Sequence, residues 1–392
     1  MYHTILPHPQ AFTFGEGTLS AETITRCALC GLPEETTAFL KDELPDIGFE
    51  HGDFEGFVAV LAGPDEELVP NPGLAVRLPS EEQGYLLQIE PDRVELRGYD
   101  AAGLWYGFQT LIELWRGGRS IECGEIRDWP SIRWRGIHLD LKGYGFHFDK
   151  LIETCHLLSH YKINAILLEV EDKFQYQCAP EVAVEGAYTK EQFQELSACC
   201  ESLFIQVIPK LQALGHVDYI LKHERFAGLR EKDHPFQFCP RNEEAHALWR
   251  SMASELFECF PGHDFFHIGA DETANLGECP ICEKHSKADN YIHMVRGAID
   301  HVLENGRQPI MWEDILRNAH GNLDEDEVEA TWELGERCIL NYWRYDPRIG
   351  ERALPVLPRY LDRGMKVWGA SAFFGAGPTM IENVPPLSLI HI

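Results

Sequence analysis

Two rhythms of hydrophobic and polar positions divide the chain. Up to about residue 128, short apolar runs (Val58 to Leu61, Tyr85 to Ile89, Val94 to Leu96) alternate with Gly and Pro turns and with helical stretches such as Glu34 to Leu44. That mixture predicts a small α/β domain. Pro91, Asp92 and Arg93 supply a hairpin turn, and Asp100 is placed to cap a helix running to Leu114. From Ile132 the rhythm becomes strand, loop, helix, repeated. The predicted strands are Gly136 to Leu141, Ala165 to Glu171, Phe204 to Pro209, Phe265 to Ile268, Pro309 to Trp312, Ile339 to Trp343 and Lys366 to Gly369. Helices are expected over Asp149 to Tyr161, Lys190 to Glu201, Glu243 to Phe260 and His285 to Glu304. The fold class is therefore α/β, with a small α/β companion domain over 1–128 and a (β/α)8 TIM-type barrel over 132–386.

Seven barrel strands can be counted, one short of closure. After Gly369 there is no room for another helix, strand and closing helix, so the last strand is expected to be missing from a C-terminally truncated chain. The final residues, 387–392, back-translate to an adapter used in sequencing libraries and are expected to be an assembly scar.

Candidate chemistry collects at predicted strand ends, where barrel enzymes place it. Phe265, Phe266 and His267 lead through Ile268, Gly269 and Ala270 to adjacent carboxylates at Asp271 and Glu272. Side chains alternate along a strand, so both acids can face one ligand only beyond its end. On the first barrel strand His138, Asp140 and Lys142 share the inward face, and on the second Glu169 and Glu171 do, with Asp172 just past the end. His216 follows the third strand, with Glu171 and Asp172 as carboxylate partners. Trp312 ends the fifth, ahead of Glu313 and Asp314, and Tyr342, Trp343 and Tyr345 cluster at the sixth. Such aromatic groups suit the apolar face of a sugar. Cys279 and Cys282 have the spacing of half a zinc knuckle, but no second pair exists and Cys239 or a histidine would have to complete it from afar, so they are read as structural or reduced thiols with no metal.

The segment His267 to Glu272 is similar to the His-x-Gly-x-Asp-Glu signature of family-20 glycoside hydrolases, the exo-β-N-acetylhexosaminidases. Gly84 to Glu90 and Gly98 to Leu111 resemble that family's companion domain, while Arg135 to Asp140, Pro209 to His216, and Met311 with Trp312 resemble its first, third and fifth strands. Within the family the hexosaminidase D branch is most alike, through His138 to Gly143, Glu169 to Asp172 and Gly369 to Phe373. The resemblance implies retaining hydrolysis of terminal β-linked N-acetylgalactosamine or N-acetylglucosamine, in which the substrate's own acetamido group attacks to form an oxazolinium. By that likeness Glu272 is the acid and base, Asp271 orients the acetamido group, Asp172 and His216 support Glu272, Trp312 lines the acetyl pocket, and Tyr342 or Tyr345 bonds the acetamido oxygen. His138, Asp140, Lys142, Glu171, His267 and Trp343 complete the substrate site. Most members carry an arginine where this chain has Gly143; Lys142 would replace it as a point charge, leaving the choice between the two sugars open. No cofactor is implied.

Two rivals exist. A metal-dependent amidohydrolase would use His138 and Asp140 but lacks further histidines at strands five and six. A catalytically silent sugar-binding barrel is compatible with the fold. Charge narrows the partners: 34 Lys and Arg against 63 Asp and Glu give a net −29, which repels nucleic acid and anionic membrane. Without a signal segment or an apolar run near 18 residues, a cytoplasmic protein is expected, its twelve cysteines being buried or reduced thiols.

Overall fold

The computed structural model describes residues 5–44, 47–51, 58–62, 81–116, 120–142, 145–273, 275–343 and 356–370. They divide into two compact units, one drawn from 1–137, 149–165 and 198–206, the other from 138–148, 166–197 and 207–392.

The first unit is built on a seven-stranded sheet: β1 (Ala11–Ser20), β2 (Arg26–Leu29), β3 (Gly48–His51), β4 (Val58–Ala62), β5 (Tyr85–Ile89), β6 (Arg93–Gly98) and β7 (Ser120–Asp128). Its order is β1-β7-β5-β6-β4-β2-β3, with only β2 and β3 parallel. Helices α1 (Glu34–Glu43) and α2 (Ala101–Arg116) belong to it. Asp100 caps α2 as anticipated, accepting from the Gly103 N–H at 2.7 Å. A Cβ at Gly107 would stand 2.2 Å from Leu96 Cδ1, so glycine lets α2 lie close on β6. Strands β1, β2, β3 and β7 escape pattern reading, and β1 shows why: eight of its ten residues are exposed or half-buried in a row, leaving almost no apolar signal.

The second unit carries the parallel sheet of a TIM-like α/β domain. Its strands are β8 (Gly136–Asp140), β9 (Ala165–Glu169), β10 (Gln206–Lys210), β13 (Phe265–His267), β14 (Gln308–Trp312), β15 (Ile339–Trp343) and β16 (Lys366–Ala370), adjacent in chain order; the hairpin β11 (Arg230–Glu231) and β12 (His234–Phe238) stands apart. Of the helices that follow α2 in the chain, α3 (Phe148–His160) clusters with the first unit from Asp149 onward, as does the end of α4 (Lys190–Ser202) from Ala198; α5 (Asp218–Leu221), α6 (Glu243–Cys259), α7 (Lys287–Glu304), α8 (Glu325–Gly335) and α9 (Leu357–Asp362) belong to the second. All seven predicted strands are present. Two boundaries move with consequences: β9 stops at Glu169, short of Glu171, and β10 extends past Pro209 to Lys210. The expected absence of an eighth strand, and the six terminal residues read as a scar, fall outside the described residues.

Parallel register fixes which side chains share a face. Lys210 pairs with His267, His267 with Ile310, Trp312 with Asn341 and Asn341 with Trp368, so these residues face the same side. Phe265 and Trp368 touch on that side, their rings 5.1 Å apart.

Candidate active site

The chain turns sharply where β13 ends. Gly269, Ala270 and Glu272 all have positive φ, +67°, +71° and +49°, and each of the two non-glycine residues costs roughly 1–2 kcal/mol in that region. Specific bonds hold the turn. Gln212 Oε1 accepts from the Ala270 N–H at 3.2 Å, the Tyr291 hydroxyl donates to the Ala270 carbonyl at 2.9 Å, and the Trp312 N–H donates to the Gly269 carbonyl at 3.0 Å. A Cβ on Gly269 would sit 1.8 Å from Gln212 Oε1, so a side chain there would push Gln212 off its bond to Ala270, and the positive φ itself favours glycine. The turn overrides strand alternation: His216 Nε2 lies 3.1 Å from Glu272 Oε2 and 3.5 Å from Asp271 Oδ2. One imidazole thus reaches both acids. Glu272 is the more open, with its side chain 44% exposed against 16% for Asp271.

Asp314 anchors Glu272 from behind. It is fully buried, and its Oδ2 accepts both the Glu272 N–H at 2.9 Å and His320 Nε2–H at 2.8 Å. Burial raises its pKa, against the Glu272 N–H, which stabilises the anion. Asp271 Oδ1 is buried with no hydrogen-bond partner among the described residues. An acceptor left in that state is costly unless a donor reaches it.

Beside the acids stands a charged cluster centred on Glu169, which is 1% exposed. Its carboxylate meets Lys210 Nζ at 2.8 Å, Lys142 Nζ at 3.0 Å and His138 Nε2 at 3.0 Å. Burial alone would raise its pKa, but Lys210, the His138 bond and Lys142 hold it well below the usual carboxylate range. Lys142, lowered by burial, is carried above the ordinary lysine value by Glu169, Glu171 and Asp140. The Trp312 indole lies against His267 at 4.6 Å and His138 at 6.1 Å between ring centroids, with Lys210 Nζ 5.2 Å from its own. His267 Nδ1 accepts from the Gly269 N–H at 3.0 Å, which leaves the proton on Nε2, and burial then keeps the ring neutral.

Residues 132–349, more than half of the chain, match "Glycosyl hydrolase family 20, catalytic domain", and residues 2–129 match "Glycosyl hydrolase family 20, domain 2". The chain belongs to glycosyl hydrolase family 20. Hexosaminidase D of Bos taurus is 32% identical over 255 residues, 62% of this chain and 72% of that protein; the Homo sapiens protein is 31% identical over 267 residues, 64% and 53%. Among solved structures, the fold is shared with β-N-acetylhexosaminidase from Bacteroides fragilis (TM-score 0.73, 19% identity, 94% of this chain and 75% of that one). It is shared too with the exo-β-N-acetylglucosaminidase from Vibrio harveyi in complex with N-acetylglucosamine (0.72, 18%, 95% and 61%).

Against this family-20 site the sequence expectations divide. His138, Asp140, Lys142, Glu171, His267 and Trp312 gather around Glu169, while Asp271, Glu272 and His216 form the second cluster. The pair Asp172 with His216 is not formed: Asp172 contacts Lys173 and lies 3.8 Å from Lys222, and His216 turns to the two acids. Tyr342 also needs correction. Its neighbours Asn341 and Trp343 have the Trp312 parity, so Tyr342 points to the opposite side, where Arg317 stacks on it and Leu316, Val328, Trp332 and Arg359 line a cavity with it. Tyr345 and Gly143 lie outside the described residues. Pattern reading missed Lys210, Asn341 and His320 altogether.

Glu171 sits in a helical turn just past β9 with φ +42°, 3.8 Å from Lys142. Burial raises its pKa to about 8; Lys142 opposes this, and Glu169 and Asp140 reinforce it. Folding thus favours the protonated acid, which stabilises the native state fully below about pH 4.5 and is lost as pH rises through about 8. The thermal midpoint of wild type, relative to Glu171→Gln, should therefore fall between pH 5 and pH 8. Calorimetry across that range checks it, and a gap that stays flat or widens in favour of wild type contradicts it.

Among the described residues, two groups other than the thiols could hold a metal by proximity: His138 with Asp140 and Glu169, and His216 with Asp271 and Glu272. In the first, two ammonium groups already neutralise Glu169, which disfavours a cation there.

Proposed function

We propose that this family-20 hydrolase is a retaining exo-β-N-acetylhexosaminidase that removes terminal β-linked N-acetylhexosamine with assistance from the substrate's own acetamido group. The carrying observation is the pair of adjacent carboxylates brought to one imidazole past the end of β13. Glu272, the open one, protonates the glycosidic oxygen while the acetamido carbonyl oxygen attacks the anomeric carbon. Asp271, the sheltered one, takes the acetamido N–H and stabilises the charge that develops on the oxazolinium. Glu272 then deprotonates the water that opens the ring from the face the leaving group vacated, and two successive inversions at the anomeric carbon leave the configuration retained. His216 positions both carboxylates. Trp312 packs against the N-acetyl group, and Lys142 with Asp140 and protonated Glu171 supplies donors and acceptors for the sugar hydroxyls.

Likeness to hexosaminidase D favours N-acetylgalactosaminides over N-acetylglucosaminides, with Lys142 as a single-point contact where a guanidinium fork would discriminate more strictly. None of the twelve cysteines is in a disulfide, which favours a reducing, cytoplasmic setting.

Release of 4-nitrophenol from both β-N-acetylhexosaminides tests the reading. Asp271→Asn should cut kcat by roughly 10²- to 10³-fold with a smaller change in KM, because the lost interaction strengthens only as the oxazolinium forms. A folded wild type that binds N-acetyl sugars without hydrolysing either substrate would favour the silent barrel instead.

A further inference from the structure

We propose that Glu231, Cys239, Cys279 and Cys282 hold a structural zinc ion. The spacing of Cys279 and Cys282 offers only half of such a site, and the fold supplies the other half from a distant hairpin. Cys239 follows β12 directly and places its Sγ 3.5 Å from that of Cys279 and 3.6 Å from that of Cys282. Glu231, on β11, adds a carboxylate oxygen, and the four prospective ligand atoms lie within 4.8 Å of one another. Sulfurs bound tetrahedrally to one zinc stand about 3.8 Å apart, given Zn–S bonds of about 2.3 Å.

Glu231 separates a metal site from a mere cluster of buried thiols. A small apolar core could accommodate three cysteines as hydrophobes. It could not accommodate this carboxylate, which is fully buried. Glu231 Oε1 accepts the N–H groups of Glu278 at 2.7 Å and Cys279 at 2.8 Å, while Oε2 has no hydrogen-bond partner among the described residues. A buried carboxylate without a cation is strongly disfavoured. The Cys282 N–H also points at Cys279 Sγ, 3.4 Å away, a donor suited to a thiolate. A disulfide would use two of the sulfurs and strand both the third thiol and Glu231.

Four protein ligands close the coordination shell, so the ion is structural and not catalytic. Its place gives it work. It ties the segment that follows Asp271 and Glu272 to the β11-β12 hairpin, whose Phe236 packs edge-on against His216 at 4.6 Å and whose Gln237 accepts from the Asn275 N–H at 3.4 Å. Asn290 on α7 adds a bond to the Cys282 carbonyl at 2.9 Å.

The test is metal analysis of the full chain, produced in zinc-supplemented medium and dialysed into metal-free buffer. Plasma mass spectrometry should find about one zinc per chain, and titration with a mercurial that caps thiols should release it. Cys282→Ser and Glu231→Gln should retain at least roughly tenfold less zinc after dialysis against a chelator, while Cys338→Ser, at a buried thiol elsewhere, keeps it. Folded wild type without zinc, an intact mass two hydrogens light with Cys239 bridged to Cys279 or Cys282, or another metal at one per chain would each overturn the assignment. Because titration uses wild type, the test stands even if a cysteine variant does not fold.

Discussion

Replacing Glu272 with glutamine is expected to lower kcat by roughly 10²- to 10⁴-fold, the range over which a positioned general acid and base contributes. The substitution removes the proton that Glu272 delivers and the base it becomes, but little else. Its backbone anchor is unaffected, because the Asp314 bond is made through the Glu272 N–H, and with 44% of the side chain exposed the amide creates no buried unpaired group. Stability should stay within about 0.5 kcal/mol of wild type. The loss should also depend on the leaving group. Nitrophenolate departs with little protonation, so the formation of the oxazolinium is hurt less with that substrate than with a disaccharide, whose alkoxide needs the proton. Parallel kinetics on the two substrates read this out. Equal losses would mean that Glu272 acts in only one of its two roles, and an active variant would move the acid elsewhere.

The parts of the site legible in the sequence are those in which neighbours along the chain are neighbours in space. His267 to Glu272 is one turn, and a glycine followed closely by two adjacent carboxylates marks it. His138 with Lys142, and Trp312 at the end of β14, could be placed by alternation alone because those strands are short and begin where the apolar pattern begins. Errors of one or two residues at strand ends account for two of the misses. Reading β10 as stopping at Pro209 concealed Lys210, although it lies one residue further and pairs with His267. Extending β9 to Glu171 hid the turn with positive φ that this residue occupies. Tyr342 demanded knowledge of register, which no single strand contains; only the pairing of Trp312 with Asn341 reveals the face it takes. Glu231 shows the limit most plainly, since a carboxylate in a two-residue strand says nothing of the cysteines 48 and 51 positions downstream that the hairpin brings to it.

The buried charge cluster supports the second large expectation. Lys210→Met should destabilise the protein by roughly 3 kcal/mol, because it leaves Glu169 in place while removing the cation nearest to it, at 2.8 Å. Both side chains are almost completely buried, so water cannot take the place of the lost ammonium. Lys142 and His138 remain in contact with Glu169, which keeps the loss at the lower end of what a broken buried pair costs. The pH dependence gives the claim a sign. Glu169 is held well below its ordinary pKa, so the stability it contributes is present above about pH 4.5 and is lost as pH falls through the native value. Urea midpoints for Lys210→Met should therefore lie furthest below wild type near neutrality and approach it in acid. Adding Glu169→Gln to Lys210→Met should recover part of the loss, with a coupling of roughly 1–3 kcal/mol, since the stranded charge is then gone. Activity supplies a separate readout: Lys210 lies over the Trp312 ring, and a displaced indole should raise KM for N-acetyl substrates more than it lowers kcat. If Lys210→Met matches wild type in urea at neutral pH, Lys142 and His138 suffice to hold Glu169, and the cluster is organised around Lys142 instead of the lysine at the indole.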